Sequence, residues 1–178
     1  MIIIFNGPQN SGKSTIAKLL QKHIPQLAHI EVDGLRKFIY WMDGNDAFPM
    51  SIENAVLVTK NFAKKGLAVV VTYIYSDEEL KNTIESLKET GKPIHIFTFS
   101  PKLESALTNR GTRELSQYEK DRIKYHYQAG INKPTTGVII DNTNQSPEET
   151  VKVILNYLQK DIPNVTANFK VRDISNRK

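Results

Sequence analysis

The chain contains no cysteine and a single tryptophan among its 178 residues. Without thiols it has neither a disulfide framework nor a thiolate nucleophile, which fits a reducing compartment, and the cytoplasm is the expected location. Long apolar runs are missing too. Nothing approaches the roughly 20 residues that a membrane-spanning helix needs, and the opening MIIIF is too short for a signal peptide and carries no basic leader. There is no internal repeat and no low-complexity stretch to suggest a solenoid or a fibrous array. What remains is ordinary soluble-domain composition, 39% hydrophobic and 24% charged, enough for one full-sized core plus a short tail. The formal charge of +5 favours anionic partners, and phosphate-bearing small molecules satisfy it as well as nucleic acid does.

Short β-rich apolar runs alternate with helical periodicity along the chain. Expected strands are Ile2–Phe5, Ala28–Val32, Leu67–Ile74, Ile94–Phe99 and Gly137–Asp141. Helical spacing follows each: Ile16, Leu19, Leu20 and Ile24 up to Pro25; Leu35, Phe38, Ile39 and Met42; then Ile52, Ala55, Val56, Thr59, Phe62 and Ala63 up to Gly66. Residues 43–50 read as a polar loop. Ser76 to Glu79, Ser116 to Glu119 and Ser146 to Glu149 carry capping-box signatures, and Ser100-Pro101 reads as a helix start. The strand candidate at 67–74 is apolar throughout, as in a parallel sheet buried on both faces. Five strands alternating with helices predict a three-layer α/β/α sandwich on a five-stranded parallel sheet. The predicted domain runs over 1–160, and a basic tail follows at 161–178.

Between the first strand and first helix stands Gly7-Pro8-Gln9-Asn10-Ser11-Gly12-Lys13-Ser14, which fits G-x-x-x-x-G-K-[ST]. Its two glycines let the backbone curl so that successive N–H groups face phosphate oxygens. The following helix turns its positive end to the same place. In this pattern Lys13 meets the β- and γ-phosphates and the Ser14 hydroxyl is a ligand for Mg²⁺. Gly7 to Thr15 are therefore the candidate nucleotide-binding residues.

Two absences narrow what such a site does. A guanine-reading Asn-Lys-x-Asp is missing, because Asn132-Lys133 runs into Pro134-Thr135. The strand reading VVVTYIY offers no Asp-Glu pair for water activation, since Asp77 belongs to a capping box. The second strand instead ends in Glu31-Val32-Asp33-Gly34-Leu35-Arg36, at the sheet edge where ligands of open α/β sheets bind. Asp33 there can accept the proton of an attacking hydroxyl, or cap the next helix. Arg36 can grip an anionic acceptor, or stand in solvent. Further on, Arg110 and Arg113 flank Gly111 in a segment, about 110–134, whose basic and aromatic character suits a lid over the transferring phosphoryl group. Arg122 and His126 fall in that segment without an assigned role, and His126 alone reads as a surface residue.

On NGPQNSGKSTIAKLLQ, VDGL, RGTR and VIIDNTNQSPEETVKVIL, the span from Met1 to about Gln159 resembles the small P-loop kinases of nucleoside-monophosphate-kinase fold, on the chloramphenicol-phosphotransferase-like and adenylylsulfate-kinase-like side. The resemblance implies an ATP- and Mg²⁺-dependent transfer of the γ-phosphoryl group to a hydroxyl or phosphate of a small molecule. It further implies Asp33 as base for the acceptor hydroxyl, Arg110 and Arg113 as lid residues, and a loop at 141–145, with Asn142, beside the adenine. Thr112 stands where the antibiotic kinases often have aspartate, so the acceptor stays open. Residues expected around it are Arg36 and Trp41, with Phe38 assigned to the core. A nucleic-acid end kinase, a toxin-like sugar-nucleotide kinase and an ATP-dependent binding module are the competing readings.

Overall fold

Five parallel strands lie in the order β2-β3-β1-β4-β5, with β1 at Ile2–Asn6, β2 at Leu27–Glu31, β3 at Ala68–Thr72, β4 at Ile94–Phe99 and β5 at Val138–Ile140. The computed structural model describes residues 1–108 and 114–161, and these include helices on both faces of that sheet. The central strand β1 reads IIIFN and is buried at every position. Its alternation assigns residues to layers. Ile3 and Phe5 join Ile16, Ala17 and Leu20 of α1 (Lys13–His23) and Ile154 and Leu158 of α7 (Pro147–Asp161). Ile2 and Ile4 face the opposite layer, where Ala55 and Ala63 of α3 (Gly44–Lys64) pack with Leu80 and Leu87 of α4 (Asp77–Lys88). Burying one such Ile, Leu or Phe side chain stabilises the fold by about 1.5–3 kcal/mol. The three-layer α/β/α sandwich expected from the sequence is the observed architecture.

Local signals set most helix starts. Ser76 and Ser116 each close a full capping box, with Glu79 and Glu119 respectively, and open α4 and α6 (Gln117–Gln128). Pro147 begins α7 where its missing N–H costs nothing.

Three expectations are corrected. The helix expected over Leu35, Phe38, Ile39 and Met42 is only the single turn α2 (Val32–Leu35) and a 3₁₀ turn at Arg36–Phe38. The backbone is extended at Ile39, and Phe38 is 85% exposed rather than in the core. The supposed loop at 43–50 is the first part of α3: Asp43 accepts the Asn45 N–H at 2.9 Å, Asp46 sits in the first turn, and Pro49 lies inside the helix. α3 covers the sheet with its small-residue stripe of Ser51, Ala55, Thr59 and Ala63; of the apolar face upstream, Leu35 packs against that core while Phe38 and Ile39 are exposed. Lastly, Ser100 does not start a helix. Its N–H donates to the Ile140 carbonyl at 2.9 Å, extending the β4–β5 pairing, and the short α5 begins later, at Leu103–Ala106.

Because all strands run the same way, their carboxyl ends share one edge. The phosphate-loop sequence leaves β1 there, Glu31 and Asp33 leave β2, and Thr72 and Tyr73 leave β3. Asn6 ties the edge together by accepting the Tyr75 N–H at 2.9 Å through its side-chain oxygen.

Candidate active site

The stretch Gly7–Ser14 forms a loop whose curvature only glycine permits at its two ends. At Gly7 φ is +135°, and a Cβ there would stand 2.4 Å from the Phe99 carbonyl oxygen; at Gly12 φ is +95°. Inside the curl the Lys13 ammonium donates to the carbonyls of Gly7 at 2.8 Å and Pro8 at 2.7 Å. Burial draws that ammonium down from its ordinary value to about 7, against opposing pulls from Asp33 and Glu31. Such a desolvated cation at a helix N-terminus is a seat for an anion.

The loop is braced from three sides. Asn142 is buried beneath it and donates to the Ser11 carbonyl at 2.9 Å. Asn10 donates to the carbonyls of Ala106 at 2.8 Å and Thr108 at 3.0 Å. Gln9 reaches α6 twice: its N–H donates to His126 Nδ1 at 3.2 Å and its side-chain amide to Glu119 at 3.2 Å. Thr15 is exposed on the first turn of α1.

A cleft of about 850 Å³ opens above the loop, with Gln9, Asn10, Lys13 and Ser14 on its floor, Glu31 and Asp33 on one wall, and Arg122 and His126 on the other. Tyr73 also lines it, its hydroxyl pushed up to about 12 by burial first and then by the charge of Asp33. A second cavity of about 330 Å³ lies between α2 and α3, lined by Leu35, Tyr40, Trp41, Met42 and Met50 among others. Asp33 and Arg36 line both spaces, so the two meet at this pair. The pair itself is an ion pair at 3.5 Å, and the Arg36 guanidinium also lies 4.7 Å over the Phe48 ring. Trp41 is 79% exposed and lines the smaller cavity.

Of the residues singled out in the sequence, Lys13, Ser14, Asp33 and Arg36 come together around one cleft. Asn142 instead spends its amide on the back of the loop. Arg110 and Arg113, and the tail from residue 162 on, lie outside the described residues. Two participants were missed. Glu31 accepts the Ser14 hydroxyl at 2.5 Å, and His126, taken for a surface residue, is 3% exposed and touches the loop. Glu31 was visible two residues before Asp33 at a strand end. His126 was visible as i+4 from Arg122 on one helix face.

The donors present fit a hard cation. A hydroxyl paired with a carboxylate at the mouth of a phosphate loop is an oxygen set of the kind Mg²⁺ takes, completed by phosphate and water. Among the described residues no cluster of three or more His, Asp or Glu side chains is arranged to hold a metal, and no helix is long and apolar enough to cross a membrane.

No family model matches this sequence, and no curated protein sequence does either. Solved structures do match in fold. The tunicamycin resistance protein of Deinococcus radiodurans superposes with a TM-score of 0.65 at 20% identity, covering 88% of this chain and 94% of its own. A gluconokinase from Sinorhizobium meliloti gives 0.64 at 15% identity, over 94% and 97%. Shikimate kinase from Aquifex aeolicus gives 0.57 at 20% identity, over 90% and 98%. The chain has the fold of the small P-loop kinases.

Proposed function

We propose that the protein is an ATP-dependent phosphotransferase that moves the γ-phosphoryl group of ATP onto a hydroxyl of a small molecule. The observation that carries this reading is the junction at Asp33: one carboxylate borders both the cleft over the phosphate loop and a separate cavity large enough for a second molecule. A hydrolase needs room only for water, whereas a transferase needs a second seat on the far side of the terminal phosphorus.

In this reading the loop N–H groups and Lys13 hold the phosphate tail, and Arg122 faces it from α6. Asp33 takes the proton of the acceptor hydroxyl as the new phosphorus–oxygen bond forms and the bond to the ADP oxygen breaks. Arg36 holds the Asp33 carboxylate at the mouth of the acceptor seat through their 3.5 Å pair. Ser14 and Glu31 would hold Mg²⁺, which neutralises charge on the phosphates when bound. The acceptor seat is walled largely by aliphatic and aromatic side chains. Exposed Tyr40 and Trp41 along it suit a compound with a planar or apolar body.

Transfer of ³²P from γ-labelled ATP to a broad panel of hydroxyl compounds tests the reading, with Lys13→Ala as the blank. Label appearing on an organic acceptor is expected. Label released only to water, at a slow rate, would instead support an ATP-dependent binding module.

A further inference from the structure

Helix α6 turns one face toward the cleft: Tyr118, Arg122, Tyr125 and His126, at helical spacing, all line it, as does Ala129 just past its end. His126 is the residue of that face in direct contact with the phosphate loop. Its Nδ1 accepts the Gln9 N–H at 3.2 Å, which leaves the ring hydrogen on Nε2. That second nitrogen meets no hydrogen-bond partner among the described residues.

The surroundings say what Nε2 is for. Arg122, one turn earlier, and Lys13, on the floor, both press positive charge on the ring. With burial as the larger cause, they hold it neutral, its pKa lowered to about 4. Arg122 lies 5.6 Å over the Tyr125 ring and has no carboxylate partner among the described residues. Two cations and a neutral N–H donor thus border one cleft; Asp33 and Glu31 act on Lys13 from the other wall, while Arg122 and the ring face the space between, where a phosphate oxygen fits.

We propose that His126 is a ligand of the transferring phosphoryl group, its Nε2–H donating to an oxygen that Lys13 and Arg122 neutralise. The proposal rests on the triphosphate reading above. The histidine neither gives nor takes a proton; it is a fixed donor, and the Gln9 N–H fixes it. Because the same ring links loop and helix, α6 holds this donor in register with the loop.

The test separates the two nitrogens. In ¹⁵N-histidine spectra of the wild-type chain, the Nε2–H tautomer is expected in the free protein, with the Nε2 resonance shifting on addition of Mg·AMP-PNP and staying in place with Mg·ADP. Both nucleotides bound with Nε2 unmoved, or moved equally, overturns the histidine role alone. Failure of both to bind would sink the donor-site reading and this role with it. Substitution gives the second arm. His126→Asn keeps an acceptor for the Gln9 N–H and deletes the distal donor, whereas His126→Gln restores a donor near Nε2. Transfer to water from ATP should fall about 100-fold in His126→Asn at unchanged ADP affinity and recover substantially in His126→Gln. Equal rates in the wild type and His126→Asn would contradict the assignment.

Discussion

The Ser14 hydroxyl donates to Glu31 at 2.5 Å, joining the first turn of α1 to the last residue of β2. The pair lies in the same cleft as Lys13 and Asp33, so the residue assigned to Mg²⁺ by its place in the motif is held in position by a carboxylate 17 residues away. An oriented ligand binds metal more tightly than a free one.

Glu31→Gln should therefore raise the Mg²⁺ concentration needed for half-maximal ATP binding by about tenfold. ADP affinity measured in EDTA should stay as in the wild type. Titration of a fluorescent nucleotide against Mg²⁺ checks both halves. An unchanged Mg²⁺ requirement would mean that Glu31 only anchors the serine.

Proton uptake should accompany nucleotide binding. In the free protein burial lowers Lys13 to about 7, whereas phosphate oxygens in contact with it favour the ammonium form. Above pH 7 the complex then holds a proton that the free protein has lost. Affinity for ADP is expected to fall as pH rises from about 7 toward the ordinary lysine range, by up to tenfold per unit, and to be flat with respect to this group below 7. Calorimetric titration at pH 8 in two buffers of different ionisation enthalpy should give close to one proton taken up, and none in Lys13→Ala.

Gly7→Ala should destabilise the free protein by about 1–3 kcal/mol and abolish ADP binding, since its methyl would meet the Phe99 carbonyl at a φ of +135°. Gly34→Ala is the matching control: nothing lies within 4 Å of its Cβ position, and stability should hold or rise slightly. Urea denaturation of the two variants makes the comparison.

Trp41 is the one tryptophan of the chain and lines the smaller cavity. Its emission should shift to the blue when an acceptor binds and stay unchanged with ADP alone. Trp41→Ala should raise the acceptor KM about tenfold, the loss of one stacking contact, at unchanged ADP affinity.

How much of this was legible in the sequence follows from how local each feature is. The phosphate loop is one contiguous segment whose shape is dictated by glycines and a helix start, so its form could be read directly. The capping boxes at Ser76 and Ser116 are equally local. The stretch after Asp33 was misread because Leu35, Phe38, Ile39 and Met42 satisfy a helical period, although Leu35 packs against the core while Phe38 and Ile39 stay exposed. Periodicity states what a segment can bury, and the packing of α3 on the sheet decided what this one did. Glu31 and His126 escaped for a related reason. Each acquires its meaning from a partner brought in by the fold: Ser14 across the β2–α1 junction, and Gln9 from 117 positions earlier in the chain. The sandwich itself was readable because five buried or half-buried runs admit few arrangements once connections are short and crossovers right-handed.

The most direct test is a crystal structure with Mg²⁺ and a non-hydrolysable ATP analogue. The terminal phosphorus should lie between Lys13 and the Asp33 carboxylate, with the path from Asp33 into the cavity beside Trp41 open to a second molecule. A terminal phosphate turned away from Asp33, or protein filling the space between them, would contradict the transferase account.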